Sequence, residues 1–434
     1  MLLNTELFGS KIRKICQSVI FQVMAYLLSK FLKNIIKMAV SHKIKFYPVD
    51  NGDNVLIKLD DKTTVIVDCQ IRDCEENTDG VTTYDVKKDL IKELNKDSKN
   101  NPYVDLFINS HPHNDHCLGF EKNFYCGSPD NYTDSNRKNE EIIIGELWVT
   151  QRVFSNDLCS DGGAIRREAK RRKKLYEDGS ADSSKYGNRL HIIGYNEDDT
   201  TVDGLHYVPG KMVDKFNGKT SDYLSMFIHA PFKSDLVRGK ADEDENAASI
   251  VVQMRLRTQK NGVIKSKIII AGDADHYVFE QILEKSKKNN NEDKLEWDLF
   301  LAPHHCSWSF FNDRPYEKNT EPKDYSLKFL DYRNTGAHII ASSKKIENKK
   351  PNPPHHSAKE EYVGKIGDAK FKNTAINKDE KAPEPLIYTI DDNGFKLEKS
   401  AIAASVGIMT SSTPRAGQIK KNEIFIQNNT REYR

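Results

Sequence analysis

Residues 104–116 read VDLFINSHPHNDH, an apolar segment that runs directly into three histidines and an aspartate. The whole chain has 13 histidines in 434 residues, so this density at the end of a predicted strand is not expected of a polar surface loop. Because alternate residues of an extended segment point to the same side, His111 and His113 can share one metal ion. After the chain turns, Asp115 and His116 can face a second ion. Imidazole and carboxylate ligands in this mixture suit Zn²⁺ and also accommodate Mn²⁺ or iron.

Two later segments also place polar side chains at the end of an apolar strand. Residues 268–273 read IIIAGD, where the carboxylate of Asp273 could bridge two ions. Residues 297–305 read WDLFLAPHH and end in His304 and His305. Taken alone, a Gly-Asp pair is usually a turn, and a His-His pair is usually on the surface. Their order along the chain, after the histidine cluster, predicts that all three segments contribute to one site.

The segments around the first motif alternate between strand and helix patterns. Residues 45–59 predict a hairpin, and residues 63–67 predict a strand that ends at Asp68. Residues 84–94 have helical spacing, and residues 104–109 form the next strand. Strand, helix, strand and then a histidine-rich loop is typical of a layered α/β sheet with its chemistry at the strand ends.

We predict three segments along the chain. Residues 1–40 form an N-terminal extension, residues 41–400 form the sheet domain, and residues 401–434 form a tail without strong periodicity. Within the domain, residues 121–224 are the least regular, and we interpret them as an insertion rather than an independent fold.

The composition is that of a globular protein, with 37% hydrophobic and 30% charged residues and a net charge of +2. Such a balance gives no global electrostatic reason to expect nucleic acid, so any binding must come from a local patch. One predicted helix offers such a patch, with the cations Arg166, Arg167, Lys170, Arg171, Arg172, Lys173 and Lys174. If this helix folds over the site, its cations would bind phosphate groups. The alternative is that these cations lie on a solvated helix face.

Other features concern the environment of the chain. Its seven cysteines are scattered and contain no CxxC pair, which favours a reducing, cytoplasmic location. A transmembrane helix requires a run of about 18 apolar residues. The sequence contains no such run, so no transmembrane segment is predicted. Residues 15–36 have an amphipathic pattern with a basic face, typical of a membrane-surface helix or of a packed helix. This segment is a poor match to a signal peptide. The third alternative is that translation starts at Met38.

The motif order HxHxDH, Gly-Asp and His-His resembles the metallo-β-lactamase superfamily, and in detail the hydrolase domain of ComEC-type competence proteins. The resemblance covers residues 44–397 with a gap over the predicted insertion. It implies a four-layer αββα sandwich.

Weaker segments add to this resemblance. They are the turn at residues 49–54 (VDNGDN), the strand at residues 65–68 (VIVD), Asn246 and Ser249 before a strand, the element at residues 304–307 (HHCS, compared with HHGS) and residues 352–356 (NPPHH). The chain departs from the family, which tends to have glycine, at Cys69-Gln70, Cys117-Leu118 and Cys306.

The ligands that the resemblance implies are His111 and His113 for a first ion, Asp115, His116 and His304 for a second, and Asp273 as the bridge. The third ligand of the first ion stays open. His229, at the end of a predicted strand, is the positional candidate, and a core or hydrogen-bonded histidine is the alternative.

Other residues would assist the reaction. Asp115 or Asp273 would orient the nucleophile, and His305 or His355 would protonate the leaving group. Asp68 would orient the histidine loop by hydrogen bonding, and Ser307 would face the ligands or the substrate.

The predicted function is that of a hydrolase in which two divalent ions, Zn or Mn, activate water. The resemblance favours phosphodiesters in nucleic acid. The alternatives are a small ester, lactone, thioester or phosphoester substrate, a partner-gated effector subunit of a multi-gene defence system, and a metal-stabilised structural protein.

Overall fold

Two large β-sheets dominate the computed structural model, which describes Met24 and residues 40–76, 80–156, 158–196, 200–241, 245–349 and 351–398. Apart from Met24, the predicted N-terminal helix lies outside the described residues, and so does the predicted tail. The strands are β1 (His42–Phe46), β2 (Val55–Lys58), β3 (Thr64–Val67), β4 (Asn95–Lys96), β5 (Pro102–Ile108), β6 (Phe124–Tyr125), β7 (Ile142–Thr150), β8 (Arg189–Ile193), β9 (His206–Tyr207), β10 (Met212–Val213), β11 (Lys215–Phe216), β12 (Lys219–Thr220), β13 (Leu224–Ala230), β14 (Val251–Arg257), β15 (Ile264–Ile270), β16 (Trp297–Leu301), β17 (Arg333–Ala341), β18 (Phe371–Asn373), β19 (Leu386–Asp391) and β20 (Gly394–Leu397).

Helices connect many of these strands. The α-helices are α1 (Val86–Glu93), α2 (Asn114–Cys117), α3 (Phe120–Asn123), α4 (Asp134–Lys138), α5 (Ser160–Glu177), α6 (Lys233–Ala241), α7 (His276–Lys288), α8 (Asp324–Leu330) and α9 (His356–Ile366). Short 3-10 helices are Pro129–Asn131, Gln151–Phe154, Ala181–Ser184, Glu245–Ala248, Glu292–Lys294, Trp308–Phe310, Asp368–Lys370 and Thr374–Ile376. A tight turn, Pro303–Cys306, follows β16.

Each sheet has an antiparallel part and a parallel part. The first sheet has the order β20-β19-β1-β2-β3-β5-β7-β8-β9, with β4 added to β5 and β6 to β7. Its strands are parallel from β3 to β9. The second sheet has the order β10-β13-β14-β15-β16-β17-β18 and is parallel from β15 to β18. Parallel strands bring their carboxyl ends to one edge, where loops can carry chemistry.

The two sheets pack face to face around a shared apolar core. Ile57 and Leu106 of the first sheet contact a cluster that includes Ile268 and Leu299 of the second. Along β15, Ile268 and Ile270 face this core while Ile269 faces the other side, as the twofold alternation of a strand requires.

Helices cover the outer face of each sheet. On the first sheet, α1, α3 and α5 supply buried residues such as Leu90, Phe120 and Ile165. On the second, α7, α8 and α9 supply residues such as Phe279 and Tyr362. The sequence-based prediction of a layered α/β domain is confirmed at the level of an α/β sandwich.

The region predicted as an irregular insertion contributes directly to the first sheet. Four of its segments, β6 to β9, extend that sheet beyond β5. The nine residues of β7 are all buried, because the strand lies between β5 and β8. The polar loops of this region predict no strand there. Among the described residues, none of the helices has the length and apolar character needed to span a membrane.

Leu299 tests the importance of the core between the sheets, because its side chain is 0% exposed. We expect Leu299→Ala to lower the free energy of unfolding by about 3 kcal/mol, through lost burial and the cavity left behind. Urea unfolding measures the change. The control is Ile376→Ala, whose side chain is 49% exposed and whose effect should stay within about 0.5 kcal/mol. Equal effects of the two substitutions would contradict the assigned core.

Candidate metal centre

The ends of four strands converge on one cluster of histidines and aspartates. β3 is followed by Asp68, and its parallel neighbour β5 is followed by residues 109–116. In the second sheet, β15 leads to Asp273, and its parallel neighbour β16 leads to the turn Pro303–Cys306. The common strand direction therefore brings residues that are far apart in sequence to one edge of the sandwich.

Asp273 lies at the middle of the cluster and is 1% exposed. Its Oδ1 is 3.0 Å from Nε2 of His116 and 3.5 Å from Nε2 of His305. Its Oδ2 is 3.7 Å from Nε2 of His111 and 3.6 Å from Nε2 of His304. The two carboxylate oxygens thus face two different pairs of imidazoles.

Three groups of possible ligand atoms result among the described residues, and two of them contain Asp273; the third is Asp53, Asp68 and His116. Asp115, His116, Asp273 and His305 each offer one atom within 4.8 Å of the others, and His111, His113 and Asp273 do the same. The first group is tight, with His305 Nε2 3.2 Å from both Asp115 Oδ2 and His116 Nε2. Asp273 belongs to both groups, which is the position of a bridging ligand.

Three imidazoles of the cluster have a hydrogen-bonding group beside Nδ1, on the side of the ring away from Asp273. Ser110 Oγ lies 3.1 Å from Nδ1 of His111, and Asp68 Oδ2 lies 2.9 Å from Nδ1 of His116. Ser309 Oγ is 3.1 Å from Nδ1 of His304. The Asp53 carboxylate faces His305 Nδ1 at 3.7 Å, which is beyond hydrogen-bond distance. The outer partners of His111, His116 and His304 hold these rings with Nε2 toward Asp273.

A divalent cation fits the electrostatics of this cluster. Within the described residues, the buried Nε2 of His111 has no hydrogen-bond partner. Burial lowers the pKa of His305, but the carboxylates of Asp273 and Asp115 outweigh it and raise that pKa to about 10. The same balance of burial against carboxylates raises the pKa of His116 well above its usual value. The cluster therefore favours positive charge, and a metal ion would bind by displacing these protons.

Asp68 holds the histidine loop in place. Its carboxylate is fully buried and accepts hydrogen bonds from the backbone N–H of Ser110 at 2.7 Å and from the Ser110 hydroxyl at 2.6 Å. The same carboxylate contacts His116, as described above. This is the orienting position that the sequence analysis proposed for Asp68.

The turn after β16 has an unusual backbone. His304, His305 and Cys306 have φ angles of 49°, 54° and 67°, all in the left-handed region. Each such residue costs roughly 1–2 kcal/mol. Backbone hydrogen bonds hold the turn, from His304 N–H to Gly272 O at 3.0 Å and from His355 N–H to Cys306 O at 2.9 Å. This conformation directs both imidazoles to Asp273.

The turn also changes the roles predicted for its two histidines. His304 was assigned to the second ion, but the structure places it beside Asp273 Oδ2, together with His111. His305, assigned as a proton donor, lies instead with Asp115 and His116. Spacing rules for an extended or right-handed segment do not anticipate this arrangement.

His229 lies away from the cluster, contrary to its prediction as a ligand. Its Nε2 is 2.9 Å from the carbonyl oxygen of Lys294, and its ring lines a separate cavity with Phe232 and Ile282. The physical reason is strand alternation: Ile228 faces the core between the sheets, so His229 points to the opposite face.

His355 and Ser307, predicted either to lie behind the ligands or to face the substrate, support the turn. The ring of His355 packs 5.0 Å from that of Tyr316 and 5.8 Å from that of Trp308. The hydroxyl of Ser307 donates to Asn352 Oδ1 at 2.9 Å. Neither residue belongs to any of the three groups of possible ligands found among the described residues.

Asp53 also belongs to the site, although it was not among the site residues predicted from the sequence. It is 2% exposed, its N–H donates to the carbonyl oxygen of Asp115 at 3.2 Å, and its carboxylate faces His305. The preceding Gly52 has a φ of 155°, and a Cβ there would lie 2.6 Å from Asp115 O. The Gly-Asp pair in the predicted hairpin turn was the available signal, since only glycine permits this close approach.

The predicted basic helix is largely neutralised by its neighbours. Arg172 is 1% exposed and pairs with Glu168, which also pairs with Arg171. The remaining pairs are Arg167 with Glu121, Lys173 with Glu177 and Lys174 with Asp178, while Arg166 donates to the carbonyl oxygen of Ser155. Arg172 therefore lies outside any exposed basic patch on α5, most of the other cations are paired, and Lys170 is exposed.

No protein-family model matches this chain, and no curated protein matches it either. The candidate centre therefore rests on the geometry of its own residues.

Asp68→Asn tests the support of the centre. We expect this substitution to weaken Mn²⁺ or Zn²⁺ binding by roughly 10- to 100-fold, because an uncharged amide no longer fixes His116. Isothermal titration of the metal-free protein measures the affinity. Asp105→Asn is the matched control, since Asp105 is also buried on the first sheet but contacts Thr64 and Asn217 instead. Equal losses in both variants would show that Asp68 has no specific effect on the centre.

Proposed function

We propose that the chain is a metal-dependent hydrolase with a sandwich of metallo-β-lactamase type that uses two divalent ions, Zn or Mn, against phosphodiesters. One observation carries the proposal: the two oxygens of Asp273 face separate sets of imidazoles, His116 and His305 on one side and His111 and His304 on the other. A carboxylate in that position can bridge two ions. The order of layers, helices outside two packed sheets, supports the same type of fold.

The residues divide naturally between two ion positions. His111, His113 and His304 would hold the first ion with Asp273 Oδ2, and Asp115, His116 and His305 would hold the second with Asp273 Oδ1. Bound divalent ions would supply Lewis-acid chemistry, lowering the pKa of water and stabilising negative charge on a phosphoryl oxygen.

The chain itself contributes the orientation of the site residues. Asp68 and Ser110 fix the histidine loop, and the left-handed turn fixes His304 and His305. Asp115 differs from its neighbours because its side chain is 35% exposed. It is therefore the carboxylate that can reach a substrate and accept a proton from an attacking water.

A phosphodiester substrate is supported by a cleft beside the turn that carries Asp53. The cleft has a volume of about 560 Å³. Its lining includes the cations Arg72, Lys344, Lys345, Lys349 and Lys381 and the acids Asp50, Glu347 and Glu380. The backbone N–H of Lys344 donates to Asn51 Oδ1 at 3.0 Å, which ties this cleft to the turn. Three of these cations pair with the three acids, Arg72 with Asp50, Lys345 with Glu380 and Lys349 with Glu347. The remaining net charge of the lining is +2, from Lys344 and Lys381, and it favours an anionic ligand.

Hydrolysis by metal-loaded protein tests the proposal. We expect Mn²⁺ or Zn²⁺ to support cleavage of bis(4-nitrophenyl) phosphate and of single-stranded DNA, with two ions bound per chain. Asp273→Asn should lower kcat/KM at least a hundredfold, because it removes the shared charge and about 3 kcal/mol or more of stabilisation. Asp298→Asn, on β16 outside the cluster, is the control. A protein that cleaves only 4-nitrophenyl acetate would contradict the phosphodiester substrate, and one ion per chain would contradict the two-ion centre.

A charge reversal at Lys344 tests whether nucleic acid binds in this cleft. We expect Lys344→Glu to weaken binding of single-stranded DNA and to lower the slope of log affinity against log salt by about 0.7, the value for one phosphate contact. Cleavage of bis(4-nitrophenyl) phosphate should be unchanged, because that substrate is too small to span the cleft. Fluorescence anisotropy at several salt concentrations measures both quantities. Lys170→Glu on α5 is the matched charge reversal, and a larger effect of that variant would move the interface to α5.

A further inference from the structure

Two cysteine thiols meet at the loop that carries the candidate ligands. Cys117 directly follows His116, and Cys159 directly precedes α5. Their sulfur atoms are 3.3 Å apart and are not bonded to each other. The pair therefore connects two segments that are 42 residues apart in sequence.

Both thiols also contact the backbone of the histidine loop, residues 109–116. The Cys117 thiol donates to the carbonyl oxygen of His113 at 2.8 Å. The sulfur atoms of Cys117 and Cys159 lie 3.8 Å and 3.7 Å from the carbonyl oxygen of Pro112. A change in either thiol would thus act directly on the segment between His111 and His116.

Cys159 has the surroundings of a reactive thiol. It is the N-cap of α5, an 18-residue helix, and its sulfur accepts the N–H of Gly162 at 3.3 Å. The N-terminus of a helix stabilises a thiolate. The nearby carboxylate of Asp161 is held by the N–H groups of Gly119 and Glu121 at 3.0 and 2.8 Å. Cys159 is partly exposed, whereas Cys117 is 0% exposed, so an oxidant reaches Cys159 first.

We propose that Cys117 and Cys159 form a reversible disulfide that weakens metal binding at the neighbouring centre. With a peroxide as oxidant, the Cys159 thiolate attacks one oxygen to give the sulfenic acid, and the released hydroxide takes a proton and leaves as water. The Cys117 sulfur then attacks the Cys159 sulfur, and the S–O bond breaks. The second hydroxide leaves with the Cys117 proton as water. Two thiols are oxidised and one peroxide is reduced to two waters.

The effect on the centre follows from the geometry. A disulfide has a sulfur separation of about 2.05 Å, so the two sulfur atoms must approach by roughly 1.2 Å from their present 3.3 Å. The hydrogen bond from the Cys117 thiol to the His113 carbonyl is lost at the same time. Both changes would shift Asp115 and His116, and the ligand distances of a metal site normally lie within about 0.2 Å of their typical values. This effect rests on the proposed metal centre, whereas the disulfide itself does not.

Peptide mapping and metal titration test the proposal together. Metal-free protein is treated with hydrogen peroxide, freed of peroxide and split into two portions. Mass spectrometry of one portion should find the peptides of Cys117 and Cys159 linked. Titration of the other with Mn²⁺, which has little affinity for thiols, should show at least tenfold weaker binding than the reduced protein. Dithiothreitol should restore the affinity.

Serine variants separate this pair from other cysteines. Cys117→Ser and Cys159→Ser each replace the thiol with a hydroxyl group. Both variants should therefore fold, and both should keep their Mn²⁺ affinity after treatment with peroxide. Cys74→Ser, which replaces an exposed cysteine elsewhere, should behave like the wild type.

Several results would overturn the proposal. Absence of the linked peptides would exclude the disulfide, and linked peptides with unchanged Mn²⁺ affinity would exclude its effect on the centre. A loss of affinity that persists in Cys159→Ser would assign the effect to other oxidation. If the reduced wild type binds no Mn²⁺, the proposed metal centre and the coupling fail together, while the peptide map still decides whether the bond forms.

Discussion

The carboxylate of Asp273, buried among four imidazoles, is the constraint on which the rest of the site depends. A buried charge of this kind is stable only when it is paired and when its partners are fixed. The serine and aspartate groups behind the histidine rings fix them, and the strands of two sheets bring those groups together. The same interaction therefore explains why the histidine loop, the Gly-Asp motif and the turn after β16 all lie at one edge of the sandwich.

The sequence was sufficient to predict the part of the site that depends on local spacing. Three histidines and an aspartate after an apolar strand predicted the ligand loop, and motif order predicted that Asp273 and the histidine pair would join it. The prediction for His229 was wrong because the face on which a strand residue lies depends on its register in the sheet. The roles of His304 and His305 could not be predicted either, because three successive left-handed residues are rare outside glycine.

The fold shows a similar division. Alternating strands and helices predicted a layered α/β domain, since that pattern is set by local hydrophobic spacing. The fully buried β7 was missed because it lies in a stretch dominated by polar loops. The basic helix was misjudged for another reason: a run of cations in a sequence does not reveal the carboxylates that tertiary structure places beside it, such as Glu121 for Arg167.

The left-handed turn at His304, His305 and Cys306 links the site to the energetics of the whole domain. Its three unfavourable residues together cost roughly 3–6 kcal/mol, a large share of the 5–15 kcal/mol by which a domain is usually stable. The interactions around the turn must offset that cost: the backbone hydrogen bonds to Gly272 and from His355, and the contacts of both imidazoles with Asp273. A metal ion bound by these imidazoles would add to the interactions that hold the strained backbone. Its binding would therefore raise the free energy of unfolding of the domain, and not only fill the site.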